Sequence, residues 1–191
     1  MVHWEAVKRI YRYLAGMKGL ALTFGAGKKG LEGYTDADVA SQEHRHTISG
    51  YAYILDGGAV SWMLKKQELD TLLTGEAEYV AAMHAVKEGV WLHRFVEEVF
   101  QPLANLTILY WDNQAAITLT KDGSFHTRTK HIDIRYHFIH LVVDSGSFLL
   151  LYCPTADMTA DTLTKALPSV KAKHFAVTLG LRTTSGGVLT R

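Results

Sequence analysis

Gly50-Tyr51-Ala52-Tyr53-Ile54-Leu55-Asp56-Gly57-Gly58-Ala59-Val60-Ser61-Trp62-Met63-Leu64 holds two apolar runs around a turn-prone Asp-Gly-Gly, which predicts an antiparallel hairpin. Working outward, residues 31–36 read as a further strand just ahead of it. The period then changes. From Thr74 to Phe100, Tyr79, Met83, Val86 and Val90 follow one helical stripe, with Pro102 just past its end. Residues 106–111 form a continuous apolar strand with Asp112 at its C-terminal end, and residues 113–121 suit a helix. A helix over 132–144, a strand over 148–153 stopped by Pro154, and a short helix over 159–167 complete the order β-β-β-α-β-α-α-β-α. Tightly joined strands pair antiparallel, whereas strands separated by helices need crossovers, so the expected fold class is α/β with a mixed sheet flanked by helices.

The flanks read differently. Val7, Ile10, Tyr11, Leu14 and Met17 recur at helical spacing opposite Lys8, Arg9 and Arg12, Gly16 and Gly19 close that helix, and Leu20, Leu22 and Phe24 form a short strand. Residues 1–29 are therefore expected to be an adjunct joined by a glycine-rich hinge, residues 30–168 the main domain, and residues 169–191 a C-terminal tail, loose around Ser185-Gly186-Gly187.

Composition bounds the function. The 191 residues are 48% hydrophobic, enough for one domain of ordinary size. Lys and Arg total 20 against 19 Asp and Glu, and the formal charge of +1 excludes a protein that coats nucleic acid through bulk charge. The balance conceals an asymmetry: residues 1–29 carry +5 and residues 157–191 carry +3, which leaves −7 for the body between them. Such a body is either a solvated acidic surface or one that gathers carboxylates around metal. The single Cys153 permits no internal disulfide, and no stretch reads as a signal peptide or membrane span, so an intracellular location, cytoplasm or nucleus, without membrane partners is expected.

Four acids stand where an open α/β sheet places its site, at strand ends or on the facing helix: Asp36, Glu78, Asp112 and Asp161. Each taken singly is more often a solubilising or capping residue. On a helix Glu76 and Glu78 point away from each other, so at most one serves a site. Asp36 and Asp38 share a strand face, and periodicity alone cannot separate them.

Seven stretches in order carry a resemblance: Gly-Tyr-Thr-Asp-Ala-Asp at 33–38, Ile-Ser-Gly-Tyr at 48–51, Ser-Trp at 61–62 with Lys-Lys-Gln at 65–67, and Glu-Ala-Glu-Tyr-Val-Ala at 76–81, then Asp112-Asn113-Gln114-Ala115-Ala116, residues 129–139, and Ala-Asp-Thr-Leu-Thr-Lys-Ala-Leu-Pro at 160–168. Together they resemble the ribonuclease H domain of copia-type LTR retrotransposon Pol polyproteins. Residues 1–24 are similar to the segment that follows the reverse transcriptase there. The resemblance implies a ribonuclease H-like fold with a five-stranded sheet. It implies Asp36, Glu78, Asp112 and Asp161 as catalytic metal ligands, in preference to Asp38 and Glu76.

What the resemblance implies chemically is a two-metal endonuclease that cuts the RNA strand of RNA–DNA hybrids and leaves 5′-phosphate and 3′-hydroxyl ends. Oxygen-only ligands select Mg²⁺, with Mn²⁺ as substitute, and clustered carboxylates need such cations to offset their repulsion. Asp36 would bridge the ions, Glu78 would also meet the ribose 2′-hydroxyl, and Asp161 would complete the second position.

Grip on the hybrid must come from elsewhere. Residues 121–140, with Lys121, Arg128, Lys130, Arg135 and His131, form the expected phosphate-facing patch, while Thr74, Asn113 and Gln114 are candidate contacts beside the acids. Thr74 and Gln114 are equally readable as a helix N-cap and an exposed first-turn residue. His137 and His140 lie three apart on a helix but lack a second ligand pair for zinc; His131 is the candidate assisting histidine. Val39-Ala40-Ser41 and Leu72-Leu73-Thr74-Gly75 depart from the family pattern and touch none of the four acids. The rival reading is a non-catalytic nucleic-acid-binding or protein-interaction module derived from such an element; a DNA-cutting nuclease of the same broad fold is a third. The reverse transcriptase portion of the same polyprotein is the expected protein partner.

Overall fold

In chain order, the residues described by this computed structural model (2–25, 30–39, 47–67, 74–100, 106–121 and 130–183) form α1 (Val2–Gly16), β1 (Leu20–Leu22), β2 (Leu31–Val39), β3 (Thr47–Leu55) and β4 (Gly58–Lys66), then α2 (Thr74–Phe100), β5 (Thr107–Trp111), α3 (Gln114–Lys121), α4 (Lys130–Asp144), β6 (Phe148–Tyr152), α5 (Asp161–Thr164), α6 (Ser169–Thr178) and β7 (Leu181–Thr183). The main sheet has the order β4-β3-β2-β5-β6. The β2–β3 and β3–β4 pairs are antiparallel, and β2–β5 and β5–β6 are parallel. This is the α/β mixed sheet expected from the sequence.

The hairpin turn shows why the local sequence folds as it does. Asp56 and Gly57 both take positive φ, 51° and 84°, the two-residue geometry whose twist matches its flanking strands. The parallel pair places the site. Thr35 of β2 stands opposite Trp111 of β5, so the next residues, Asp36 within β2 and Asp112 just past β5, stand at the same level. That level is at the carboxyl end of β5, where open α/β sheets collect their ligands.

α2 packs across the sheet through Tyr79, Ala82, Ala85 and Val86, which share a buried cluster with Tyr53, Leu109, Trp111, Ile139 and Leu150. Tyr53 is fully buried between sheet and helix, and its hydroxyl donates to the Ala85 carbonyl at 2.7 Å. Gly89 makes that possible, since a Cβ there would lie 2.2 Å from the Tyr53 oxygen. Burying a side chain of this size contributes roughly 2–3 kcal/mol.

Two expectations need correction. Residues 169–183 are not a bare tail: α6 buries Phe175 completely, and β7 pairs antiparallel with β1, Leu20 opposite Thr183. Phe175 is the one fully buried side chain of α6, so the segment has too weak an apolar stripe to be seen in sequence, and β7 is only three residues long. The helix expected over 159–167 is a single turn, Asp161–Thr164, because Lys165 already takes extended backbone angles. The amphipathic first helix is present, with Trp4, Ile10, Tyr11 and Leu14 exposed. Among the described residues, no helix is long and apolar enough to cross a membrane.

Candidate metal centre

Three of the four acids meet. Asp36 on β2, Glu78 in the second turn of α2 and Asp112 at the end of β5 each bring a carboxylate oxygen within 4.8 Å of the others. Asp36 is fully buried, while Glu78 and Asp112 are half-buried. Glu78 is aimed by Trp111, whose Nε1 donates to Glu78 Oε2 at 3.0 Å. Trp111 itself stands edge-on to Tyr79, so the core fixes the donor that fixes the acid. Asp38 and Glu76 are not in this group.

Asp161 joins the site differently. It opens α5 and is 1% exposed, but its oxygens are taken by two lysines. Lys165 Nζ lies 2.9 Å from Asp161 Oδ1 and 3.0 Å from Asp36 Oδ1. Lys171 Nζ lies 2.9 Å from Asp161 Oδ2 and donates to the Thr155 carbonyl at 2.8 Å. Thr164 Oγ1 donates to Asp36 Oδ2. Thr164 can reach because Gly50 stands opposite Asp36 in the β2–β3 register, where a Cβ would come within 2.7 Å of the Thr164 methyl.

The electrostatics follow from this crowding. Burial pushes Glu78 up to about 8, against the Trp111 hydrogen bond and with help from Asp36 and Asp112. Burial also raises Asp36, opposed by Thr164 and Lys165, and raises Asp112, with Asp36 adding repulsion. Burial alone would lower Lys165, but the carboxylates of Asp161 and Asp36 hold it above its ordinary value. Carboxylates that resist ionisation for want of positive charge, offering only oxygen atoms within reach of one another, fit a hard divalent cation.

The remaining candidates scatter. Asn113 Oδ1 accepts from the Ala116 backbone N–H at 2.9 Å, capping α3. Gln114 is exposed at the start of that helix. Thr74 opens α2, and Lys130 and His131 open α4, but their side chains lie outside those described, as does that of Lys121. Arg128 lies outside the described residues altogether. His140 Nδ1 pairs with Asp144 at 2.9 Å.

Arg135 of the expected basic patch does find company. With Lys65, Lys66, Gln67 and His84 it lines a cavity of about 150 Å³. His84 Nδ1 and Gln67 Oε1 are buried without a hydrogen-bond partner among the described residues. Burial and the charges of Lys65, Lys87 and Arg135 lower the His84 pKa. Sequence reasoning missed Lys65 and Lys66, although both stand in the quoted Lys-Lys-Gln. It also assigned nothing to Lys165, whose spacing of four from Asp161 was a usable signal.

Comparison with known proteins decides the kinship. The chain is 46% identical over 170 residues, 88% of its length, to the retrovirus-related Pol polyprotein from transposon TNT 1-94 of Nicotiana tabacum. The chain is similar to a segment of a retrovirus-related Pol polyprotein. A second Pol polyprotein, from transposon RE2 of Arabidopsis thaliana, is 35% identical over 98% of the chain. The chain spans 13% of the length of each of these polyproteins. The fold is similar to that of LC11-RNase H1, solved in complex with RNA/DNA hybrid, with a TM-score of 0.53 at 13% identity over 70% of this chain and 93% of that one. No family model matches.

Proposed function

We propose that this domain is a ribonuclease H: a metal-dependent endonuclease that cuts the RNA strand of RNA–DNA hybrids and leaves 5′-phosphate and 3′-hydroxyl ends. One observation carries the reading, the meeting of Asp36, Glu78 and Asp112 oxygens within 4.8 Å, where two neighbouring parallel strands and a helix come together. Its kinship with Pol polyproteins, and the hybrid held by LC11-RNase H1, support the choice of substrate.

A pair of Mg²⁺ ions, when bound, would polarise the attacking water and stabilise the leaving 3′ oxygen. The chain's own residues do the rest. Asp36, which meets Glu78 and Asp112 within 4.8 Å and shares Lys165 with Asp161, would hold the metal together with those three acids. Trp111 and Thr164 orient their carboxylates by hydrogen bonds. Glu78, on the helix rather than a strand, is the acid set to meet a ribose 2′-hydroxyl, the group that separates RNA from DNA. The cavity beneath Lys65, Lys66 and Arg135 offers positive charge to a backbone phosphate, with Thr74, Gln114, Arg128, Lys130 and His131 as further contacts.

Residues 30–168 would be the catalytic unit, with residues 1–29 leading from a reverse transcriptase portion of a longer polyprotein, and the work would be done inside the cell, in a retrotransposon particle in the cytoplasm or in the nucleus. The test is incubation with a labelled RNA–DNA hybrid in Mg²⁺, beside Asp112→Asn and a duplex DNA control. Cleavage of the hybrid's RNA strand by the parent chain alone is expected. Hybrid binding without cleavage, unchanged in the variant, would leave a binding module instead.

A further inference from the structure

We infer that Lys165 is the resident cation of the acidic cage, holding Asp36 and Asp161 together until a divalent ion displaces it, and so setting the ion concentration at which the cage fills. This rests on the reading of the cage as a divalent-cation site.

Among the described residues, Lys165 alone joins Asp36 to Asp161 by hydrogen bonds or ion pairs, at 3.0 and 2.9 Å. The other oxygen of each acid is occupied as well, by Thr164 on Asp36 and by Lys171 on Asp161. The ammonium thus occupies one oxygen of each acid. A hard ion that used those same oxygens as ligands would have to take them from the ammonium, because two cations held by one acceptor repel each other. Lys165 is therefore a positioning residue that competes with the ion.

Its side chain is suited to leaving. It is 30% exposed, lies just past the one-turn helix α5 and hangs on a flexible four-carbon stem. Lys171 differs, because it touches only Asp161 among the acids and is also tied to the Thr155 carbonyl. Removing Lys171 takes away a charge without clearing the shared position.

The experiment titrates Mn²⁺ and Mg²⁺ into the whole chain by calorimetry, with no nucleic acid present. Lys165→Met is expected to bind the ion about tenfold more tightly than the parent, the effect of deleting one unit charge at contact distance in a partly solvated site. Lys165→Arg should not bind more tightly than the parent, and Lys171→Met should gain less than about threefold. Equal gains in Lys165→Met and Lys171→Met would reduce the effect to general charge and overturn the inference. So would parent-like affinity in Lys165→Met while the parent binds the ion.

If the parent shows no ion binding that Asp36→Asn abolishes, the cage reading itself falls, and the inference with it. Should Lys165→Met fail to fold, the parent alone still answers. Acetylation at Lys165, mapped by mass spectrometry, should rise several-fold when Mn²⁺ is added while Lys173 stays constant, and an unchanged ratio would overturn the displacement.

Discussion

Gly50 lies directly opposite Asp36 in the β2–β3 ladder, and its missing side chain is the space through which Thr164 reaches the Asp36 carboxylate. A site acid is thus oriented from a different element only because its cross-strand neighbour has no Cβ.

Gly50→Ala should push the Thr164 methyl aside and lose the hydrogen bond to Asp36. Overpacking of this kind costs about 1–3 kcal/mol. The expected result is a moderate fall in urea midpoint together with a larger relative fall in kcat on a hybrid substrate, of roughly tenfold, as reacting groups lose alignment. A midpoint and kcat both equal to those of the parent would show that Thr164 does not depend on this space.

The pKa of Glu78, raised from 4.5 to about 8, makes a signed prediction for the metal-free protein. Between those values the folded chain keeps a proton that the unfolded chain has released, so stability present at acid pH is lost as pH rises toward 8. Thermal unfolding in chelator should therefore fall in midpoint from pH 5 to pH 8. In Glu78→Gln that slope should flatten, and added Mn²⁺ should restore the parent at high pH.

Asp112→Asn keeps the shape of the side chain and removes its charge. Hybrid cleavage should drop by roughly a hundredfold or more, the scale seen when one group of a charge-stabilising site is removed. Because Asp112 repels Asp36 and Glu78, the variant should be at least as stable as the parent in chelator. Gel assay and calorimetric unfolding read the two effects separately.

Arg135→Ala addresses the grip rather than the chemistry. If the cavity it shares with Lys65 and Lys66 takes a backbone phosphate, hybrid affinity should fall for all sequences alike, and the slope of log affinity against log salt should shrink by about one. Fluorescence anisotropy across a salt series measures both.

Legibility in the sequence followed the range of the physics. The Asp56-Gly57 turn and the stripe of α2 are local patterns, and both strands of the hairpin and the long helix could be drawn from them. The choice of Glu78 over Glu76 needed the family resemblance, because helical geometry says only that one of them must turn away; in the structure it is Glu78 that Trp111 holds toward Asp36. The strand at Leu20–Leu22 is legible locally, but nothing local announces its pairing with β7, most of the chain away, which Thr23 Oγ1 extends by donating to the Gly180 carbonyl at 3.0 Å. Lys165 was in plain view within Thr-Lys-Ala-Leu-Pro, yet its ties to two acids exist only once α5 docks beside β2 and β3.

The parallel register of β2 and β5 has a wider consequence. Adjacent strands stand about 4.8 Å apart whatever their side chains, so the separation of Asp36 from Asp112 is inherited from the peptide ladder itself. Substitutions elsewhere can change almost every other letter without retuning that interval, and the same architecture is indeed found in LC11-RNase H1 at 13% identity.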